Sequence, residues 1–229
     1  MSKLDQNRPR TGSLTARTEP ALVQLAATLA VLAGLVNSIG LLAFGNVFLA
    51  SPVANATVLG ANLPNSGAVA LFAGAILLSF VAGVTITTLS TQSAERFRLT
   101  LVLLIVTVGL FAAYATFYAD IPIAPAVLLA MAMGSAHCIF EPNDGKLQEA
   151  MSPTAQLVRF GEALANRQYN VGDQKIGMHI WFWIAFLFGG VVGVTAWIAL
   201  GSASFALVAG LTGILTLRVW LIEHNIEQV

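Results

Sequence analysis

Residues 21–44 read ALVQLAATLAVLAGLVNSIGLLAF, an uncharged apolar stretch that is long enough to be a membrane-spanning helix. A helix needs about 20 such residues to cross the hydrocarbon core of a bilayer. Five further stretches of this kind follow along the chain: 69–89, 100–118, 121–140, 178–200 and 203–221. The sequence therefore predicts an all-α integral membrane protein with six transmembrane helices.

Positive charge predicts how these six helices are oriented. With the N-terminus inside, all eleven Lys and Arg residues fall on the cytoplasmic side: Lys3, Arg8, Arg10, Arg17, Arg96, Arg98, Lys146, Arg159, Arg167, Lys175 and Arg218. Arg218 ends the sixth stretch, and its head can extend back to the interface. Asp120 is the only ionised residue of the predicted outer connections. Because cytoplasmic loops are enriched in Lys and Arg, both termini are predicted to lie in the cytoplasm.

Composition limits the other classes of function. Hydrophobic residues make up 57% of the chain and charged residues 10%, more apolar than a soluble domain of this length. A net charge of zero argues against a nucleic-acid partner. Cys138 is the single cysteine, which excludes an internal disulfide and a site with several cysteine ligands.

The predicted organisation is two halves with short tails. Residues 1–20 are expected to form a disordered cytoplasmic tail, and 223–229 a second tail. The first three-helix half covers 21–118 and includes a re-entrant or surface segment at 45–63. The second covers 119–222 and includes a cytoplasmic loop at 141–177, with a surface helix. A cleavable signal peptide ending near Ala54-Asn55-Ala56 is the competing interpretation of the N-terminal region.

A faint internal repeat relates the two halves. At an offset of 101, Ser51-Pro52 returns as Ser152-Pro153, Ala54 as Ala155, Gly60 as Gly161 and Leu63 as Leu164. With one gap, Gly34, Asn37 and Ile39 match Gly134, His137 and Ile139. Three spans per copy would place the copies in opposite senses, which is the inverted repeat of many secondary transporters. Coincidence in a chain rich in Ala, Gly, Leu and Val is the alternative.

Polar residues within apolar stretches are the candidate site. Asn37 and His137 occupy matched positions in the repeat and are predicted to line a central polar site, joined by Asn55, Ser51 and Ser152. The alternative is that they form hydrogen bonds between helices and only hold the bundle together.

Metal binding and catalysis have weak support in the sequence. His137 and Glu141 are four residues apart, beside Cys138, but the other histidines, His179 and His224, lie elsewhere. No serine elbow, phosphate-binding glycine loop or intramembrane carboxylate pair occurs. We therefore expect no metal site, no cofactor and no enzymatic activity.

Three segments resemble the YoaK-like family of bacterial six-span membrane proteins, which carry domain of unknown function 1275. They are Ala33-Gly34-Leu35-Val36-Asn37, the stretch 48–57 ending near Asn55, and the stretch 130–137 followed by 152–164. The resemblance implies the six-span fold and the bacterial cytoplasmic membrane. Its polar motifs are eroded here, since Asn37 replaces Asp and Ala136-His137 replaces Gln-Asn.

Two functions are compatible with these observations. The first is a carrier that moves a small solute by rocking one half against the other around a midplane site. The second is an accessory subunit that packs against a larger membrane complex through its apolar faces of small residues. Gly189 and Gly193 give one such face, with contacts either within the bundle or between subunits. Besides the lipid bilayer, the expected partners are thus an unknown solute, a second copy of the chain or a larger complex.

Overall fold

The computed structural model describes residues 12–45, 47–92, 97–140, 147, 149–167 and 176–225. Over these residues the chain forms eight α-helices and no strand. They are α1 (Gly12–Phe44), α2 (Pro52–Asn62), α3 (Gly67–Thr91), α4 (Arg98–Tyr118), α5 (Ala124–Ala136), α6 (Pro153–Arg167), α7 (Ile176–Leu200) and α8 (Ala203–Asn225).

Five of these helices are long and apolar enough to cross a membrane. The qualifying segments are Pro20–Phe44, Gly67–Thr91, Arg98–Tyr118, Gly177–Leu200 and Ala203–His224. At 1.5 Å per residue, each reaches roughly the 30 Å thickness of a bilayer core. The prediction of a helical, multi-pass membrane protein is confirmed at this level.

The fourth predicted stretch, 121–140, differs from the expectation of one continuous helix. Its helix α5 has 13 residues, which corresponds to about 20 Å. Before it, Asp120 and Ile123 take positive φ values of 53° and 67°, which makes a tight turn after α4. After it, the backbone N–H of Cys138 donates to the carbonyl oxygen of Ser135, three residues back, so the helix tightens and ends.

The predicted tails and loops are partly described. Helix α1 begins at Gly12, so residues 12–20 of the predicted disordered tail are helical, although its apolar part begins at Pro20. Helix α2 lies in the predicted segment 45–63, and α6 lies in the predicted loop 141–177. Residues 1–11, 46, 93–96, 141–146, 148, 168–175 and 226–229 lie outside the described part of the chain.

The helices pack as two crossed pairs, and α4 links one of these pairs to α8. Helix α1 crosses α7, α3 crosses α5, and α4 packs between α5 and α8, while α2 lies on α3 and α6 on α7. The core is apolar and includes Leu29, Ile39, Leu103, Leu129 and Met133. The outward faces of α3 and α7 are equally apolar, with many large exposed hydrophobic side chains. Such faces are suited to lipid rather than to water.

Candidate functional site

The crossing of α1 and α7 depends on glycines at the contact. A Cβ at Gly34 would overlap the carbonyl oxygen of Phe186, and one at Gly189 would overlap the carbonyl oxygen of Val31. A Cβ at Gly193 would lie 2.6 Å from the carbonyl oxygen of Leu35. The two backbones therefore approach more closely than any larger residue would allow.

The crossing of α3 and α5 has the same construction. A Cβ at Gly134 would overlap the carbonyl oxygen of Phe80, and one at Gly83 would overlap that of Met131. Met131 and Gly134 on α5 lie 100 residues after Val31 and Gly34 on α1. Phe80 and Gly83 on α3 lie 106 residues before Phe186 and Gly189 on α7. Gly34 and Gly134, which the sequence offset pairs, thus occupy matching places in two separate helix crossings.

Asn37 and Asn55 hold the non-helical backbone that follows α1. The buried Asn37 accepts a hydrogen bond at Oδ1 from the backbone N–H of Ala50, with an N···O distance of 2.7 Å. Asn55, only 1% exposed, accepts at Oδ1 from the backbone N–H of Phe48 at 2.9 Å and donates from Nδ2 to the carbonyl oxygen of Phe48. These amides satisfy backbone groups that have no helical partner, as non-helical backbone within a membrane requires.

Gln156 has the same role in the second half. Its Nε2 donates to the carbonyl oxygen of Glu149 at 2.7 Å, seven residues back, as Asn55 does to Phe48. Its Oε1 lies 2.9 Å from Nδ1 of the buried His179 at the start of α7. Because an amide oxygen only accepts, Nδ1 of His179 carries the proton.

Gln156 and His179 were not predicted as site residues from the sequence, although a signal for Gln156 is present there. It follows Asn55 by the same offset of 101 that relates Ser51 to Ser152. Asn and Gln do not score as identical, however, so only their shared chemistry could have revealed the pair. His179 has alanine, Ala73, at the equivalent place on α3 and could not have been found from the repeat.

The remaining predicted residues lie apart from one another. His137 is half-buried at the end of α5, its Nδ1 lies 2.8 Å from the carbonyl oxygen of Met133, and its ring packs edge-on against Phe80 at 5.1 Å. Among the hydrogen bonds of the described residues, none joins Asn37 to His137. Ser51 precedes α2 without a side-chain capping bond, whereas Oγ of Ser152 accepts weakly from the backbone N–H of Ala155 at 3.5 Å.

Charged groups cluster at the end where α4 begins and α8 ends. The Arg98 guanidinium donates to the carbonyl oxygens of Cys138 and Ile139 at 2.7 and 3.0 Å, just after α5. Glu223 near the end of α8 accepts from the backbone N–H and the hydroxyl of Thr100. These bonds bring the non-helical segment after α5 to the same end of the molecule as the termini of α4 and α8.

A salt bridge joins α6 to the segment before it. The Arg159 guanidinium donates to both carboxylate oxygens of Glu149, at 3.0 and 3.1 Å. These hydrogen bonds lower the pKa of Glu149. Three or more His, Cys, Asp or Glu side chains do not meet anywhere in the described part of the chain. The suggested His137–Glu141 pair cannot be placed, because residue 141 lies outside it.

A groove separates α1 from α8 and has a cavity volume of about 80 Å³. Its lining is apolar except for two threonines: Thr28, Val31, Leu32, Leu35, Val208, Leu211, Thr212 and Leu215. The hydroxyl of Thr28 donates to the carbonyl oxygen of Gln24, and that of Thr212 donates to Val208, both at 2.8 Å. The groove therefore presents hydrocarbon walls whose two hydroxyls already donate to their own helices.

Residues 25–218, which include both crossings and the groove, match the family described as protein of unknown function, DUF1275. The chain belongs to the DUF1275 family. This confirms the resemblance derived from the polar motifs. No curated protein and no solved structure matches the chain. Membership of DUF1275 supports the membrane-helix architecture of this protein, while its activity has to be inferred from the site.

Proposed function

We propose that this DUF1275 protein is a membrane transporter for a small solute, with two inverted three-span halves that rock against each other. The matched helix crossings carry the proposal. α1 meets α7 through Gly34 and Gly189, and α5 meets α3 through the corresponding Gly134 and Gly83. Such matching is expected when two copies of one unit face opposite sides of the membrane. In this arrangement α5 and the residues after it form the fourth span, with both termini in the cytoplasm of a bacterial cell.

The two amide-tied segments support the same proposal. Each is the non-helical backbone that follows the first helix of its half. In one half the side-chain amide of Asn55 bonds to Phe48, and in the other that of Gln156 bonds to Glu149, each seven residues earlier in the chain. Broken or non-helical backbone at matching places in two halves is typical of transporter binding sites. Asn37, Asn55 and His137, with Ser51 and Ser152 at the starts of α2 and α6, remain the proposed polar lining.

An accessory subunit of a larger membrane complex is the second candidate. One observation favours it: Asn37 and Asn55 direct their side-chain oxygens to the chain's own backbone, which leaves them less able to bind a solute. Under this proposal the apolar outer faces of α3 and α7 would contact another membrane protein.

Reconstitution into vesicles tests the transporter. Purified protein would be placed in liposomes loaded with a mixture of amino acids, sugars, nucleosides, organic acids and amphiphiles. We expect saturable, protein-dependent efflux of one class, measured by mass spectrometry, and none from protein-free liposomes. Efflux of no class, together with a stoichiometric membrane partner after gentle extraction, would contradict transport and favour the subunit.

A further inference from the structure

We propose that His179 adjusts one half of the solute site to the cytoplasmic pH: a proton on its imidazole strengthens the hydrogen bond to Gln156, which holds the segment that contains Ser152. This inference rests on the proposed function and adds a regulation of the same site. Three observations carry it: the burial of His179, the hydrogen bonds that lead from its ring to Ser152, and the lack of a matching histidine in the first half.

His179 is the one titratable group in the buried core of the side chains that the structure describes. It is 3% exposed near the start of α7, and the other buried polar side chains are amides and hydroxyls. Histidine changes its charge between about pH 5 and pH 8. Ionisable groups on membrane-spanning helices are costly to bury, so their presence indicates a function. In the proposed orientation, α7 begins at the cytoplasmic side.

A chain of hydrogen bonds leads from this ring to the backbone around Ser152. Nδ1 of His179 donates to Oε1 of Gln156 at 2.9 Å, and Nε2 of Gln156 donates to the carbonyl oxygen of Glu149 at 2.7 Å. The same carbonyl oxygen accepts from the backbone N–H of Ser152 at 2.9 Å. The carbonyl oxygen of Ser152 in turn accepts from the backbone N–H of Gln156 at 3.1 Å. The buried Gln156 therefore ties the turn at Ser152 to α7.

Protonation changes the strength of the first bond in this chain. Because Nδ1 of His179 already carries a proton, a second proton binds at Nε2 and makes the ring an imidazolium. A hydrogen bond from a charged donor is about twice as strong as one between neutral groups. The bond to Gln156 therefore strengthens as the pH falls, and the turn at Ser152 is held more firmly.

The Glu149 carboxylate compensates the charge of the imidazolium. Hydrogen bonds from Arg159 lower the pKa of Glu149, and a positive charge on His179 lowers it further. The attraction between the two charges is mutual, so Glu149 in turn stabilises the imidazolium.

The other charged groups near the start of α7 are few among the described residues. On α6, Glu162 pairs with Arg159 at the exposed surface. Residues 20–44 of α1, which packs along α7, include no titratable side chain. The end of α8 has three charged or titratable groups, none of which is buried: Arg218, Glu223 and His224. Glu149 is therefore the carboxylate that the imidazolium senses.

The first half has a matching amide but no matching ring. Asn55 ties the segment after α1 as Gln156 ties the segment after α5. At the offset of 106 that relates α3 to α7, however, Ala73 occupies the place of His179. An alanine neither donates from its side chain nor titrates. We therefore expect the pH to act on the second segment and not on the first.

Hydrogen–deuterium exchange, measured by mass spectrometry on the full-length protein in lipid nanodiscs, tests this pH response. Exchange rates at about pH 5.5 and about pH 8 would be compared after correction for the intrinsic rate of each amide. We expect peptides that cover 149–156 to exchange roughly fivefold more slowly at the lower pH, because a charged donor holds the turn. Peptides that cover 48–55 are the internal control and should show no such difference.

Two variants separate the proton from the hydrogen bond. His179→Asn keeps an N–H donor for Gln156 but does not titrate, so the protein should fold and the pH difference at 149–156 should disappear. His224→Asn is the matched control and should keep the difference, because the ring of His224 is exposed and stacks on Trp220. Equal exchange at both pH values in the unaltered protein would overturn the proposal, and that comparison needs no variant. A pH difference that survives in His179→Asn would overturn it as well.

Transport is measured apart from the pH response of the segment. Efflux from the liposomes described above would be followed at the same two pH values. A pH-dependent segment 149–156 without efflux of any class would contradict the transporter and leave the role of His179 in the segment intact. Efflux from a protein whose segment does not respond to pH would contradict the role of His179 and leave the transporter intact.

Discussion

The two halves of this protein agree in one kind of contact and differ in another. Gly34 and Gly134 make the same close approach to a partner helix, on α7 and α3 respectively. Two further contacts between the halves, α4 with α5 and α8 with α1, are called the seams. They are unequal, because α4 packs tightly on α5 whereas α8 leaves a groove against α1. Crossings and seams alike join one half to the other, but the crossings are fixed by matching glycines, whereas the two seams differ in the space between their helices.

The largest effect is expected at the crossings, where the halves should behave alike. Gly134→Leu would drive a side chain into the carbonyl of Phe80, and the rigid backbone cannot yield as a side chain would. We expect a loss above the usual 1–3 kcal/mol of overpacking, about 3 kcal/mol or more, and no folded protein in size-exclusion chromatography. Gly34→Leu should fail in the same way.

Gly210→Leu is the control for both glycine variants. Nothing lies within 4 Å of a Cβ at Gly210, so we expect a thermal unfolding curve close to that of the unaltered protein. Folded Gly134→Leu beside unfolded Gly34→Leu would show that the two crossings are not equivalent.

The next effect concerns the amides that fix the non-helical segments. Asn55→Leu would leave the partly buried N–H and C=O of Phe48 without their amide partner, at up to about 1–3 kcal/mol for each group. Asn62→Leu is the control, because Asn62 donates only to a carbonyl of its own helix and should change stability by less than about 0.5 kcal/mol.

Gln156→Leu should resemble Asn55→Leu if the two segments are counterparts. Thermal unfolding monitored by circular dichroism would measure all three variants. Equal stability of Asn55→Leu and Asn62→Leu would show that the hydrogen bonds to Phe48 do not hold the segment.

A smaller difference in stability is expected between variants at the closed α4–α5 seam and variants at the open α1–α8 seam. Ala132→Leu places a large side chain against Gly109 and should destabilise by about 1–3 kcal/mol. Leu35→Phe enlarges a residue that lines the groove, where space is available, so it should cost less than about 1 kcal/mol. The midpoint of thermal unfolding reports both, and the reverse order would contradict the assignment of the closed and the open seam.

The smallest effect is electrostatic and belongs to the second half alone. Arg159 lowers the pKa of Glu149 in the folded protein, so the pair adds stability above the glutamate's ordinary pKa. That contribution is lost as the pH falls through the lowered value. Arg159→Gln should therefore reduce the unfolding temperature slightly at neutral pH, with the difference vanishing once the pH lies below the lowered pKa of Glu149. A difference that persists in acid would point to packing instead of charge.

Sequence reasoning succeeded where long-range partners were not needed. The apolar stretches predicted five of the long helices, since a bilayer imposes length and hydrophobicity on each span independently. It was less accurate at 121–140, because two backbone turns with positive φ and an early helix end depend on local geometry that hydropathy does not register. Of the predicted site, it found Asn37 and Asn55 as buried polar residues but not the backbone groups they bind.

What the sequence alone determined is the class of molecule, a DUF1275 membrane protein of apolar helices with a weak internal offset. Only the tertiary structure decided which helices pair, that Gly34 and Gly134 make matching contacts, and that one seam is open. The physical reason is that hydrophobicity is a property of each residue by itself, whereas close approach depends on two surfaces at once. Whether a glycine or a leucine brings two helices together or holds them apart depends on the side chain or carbonyl group that faces it.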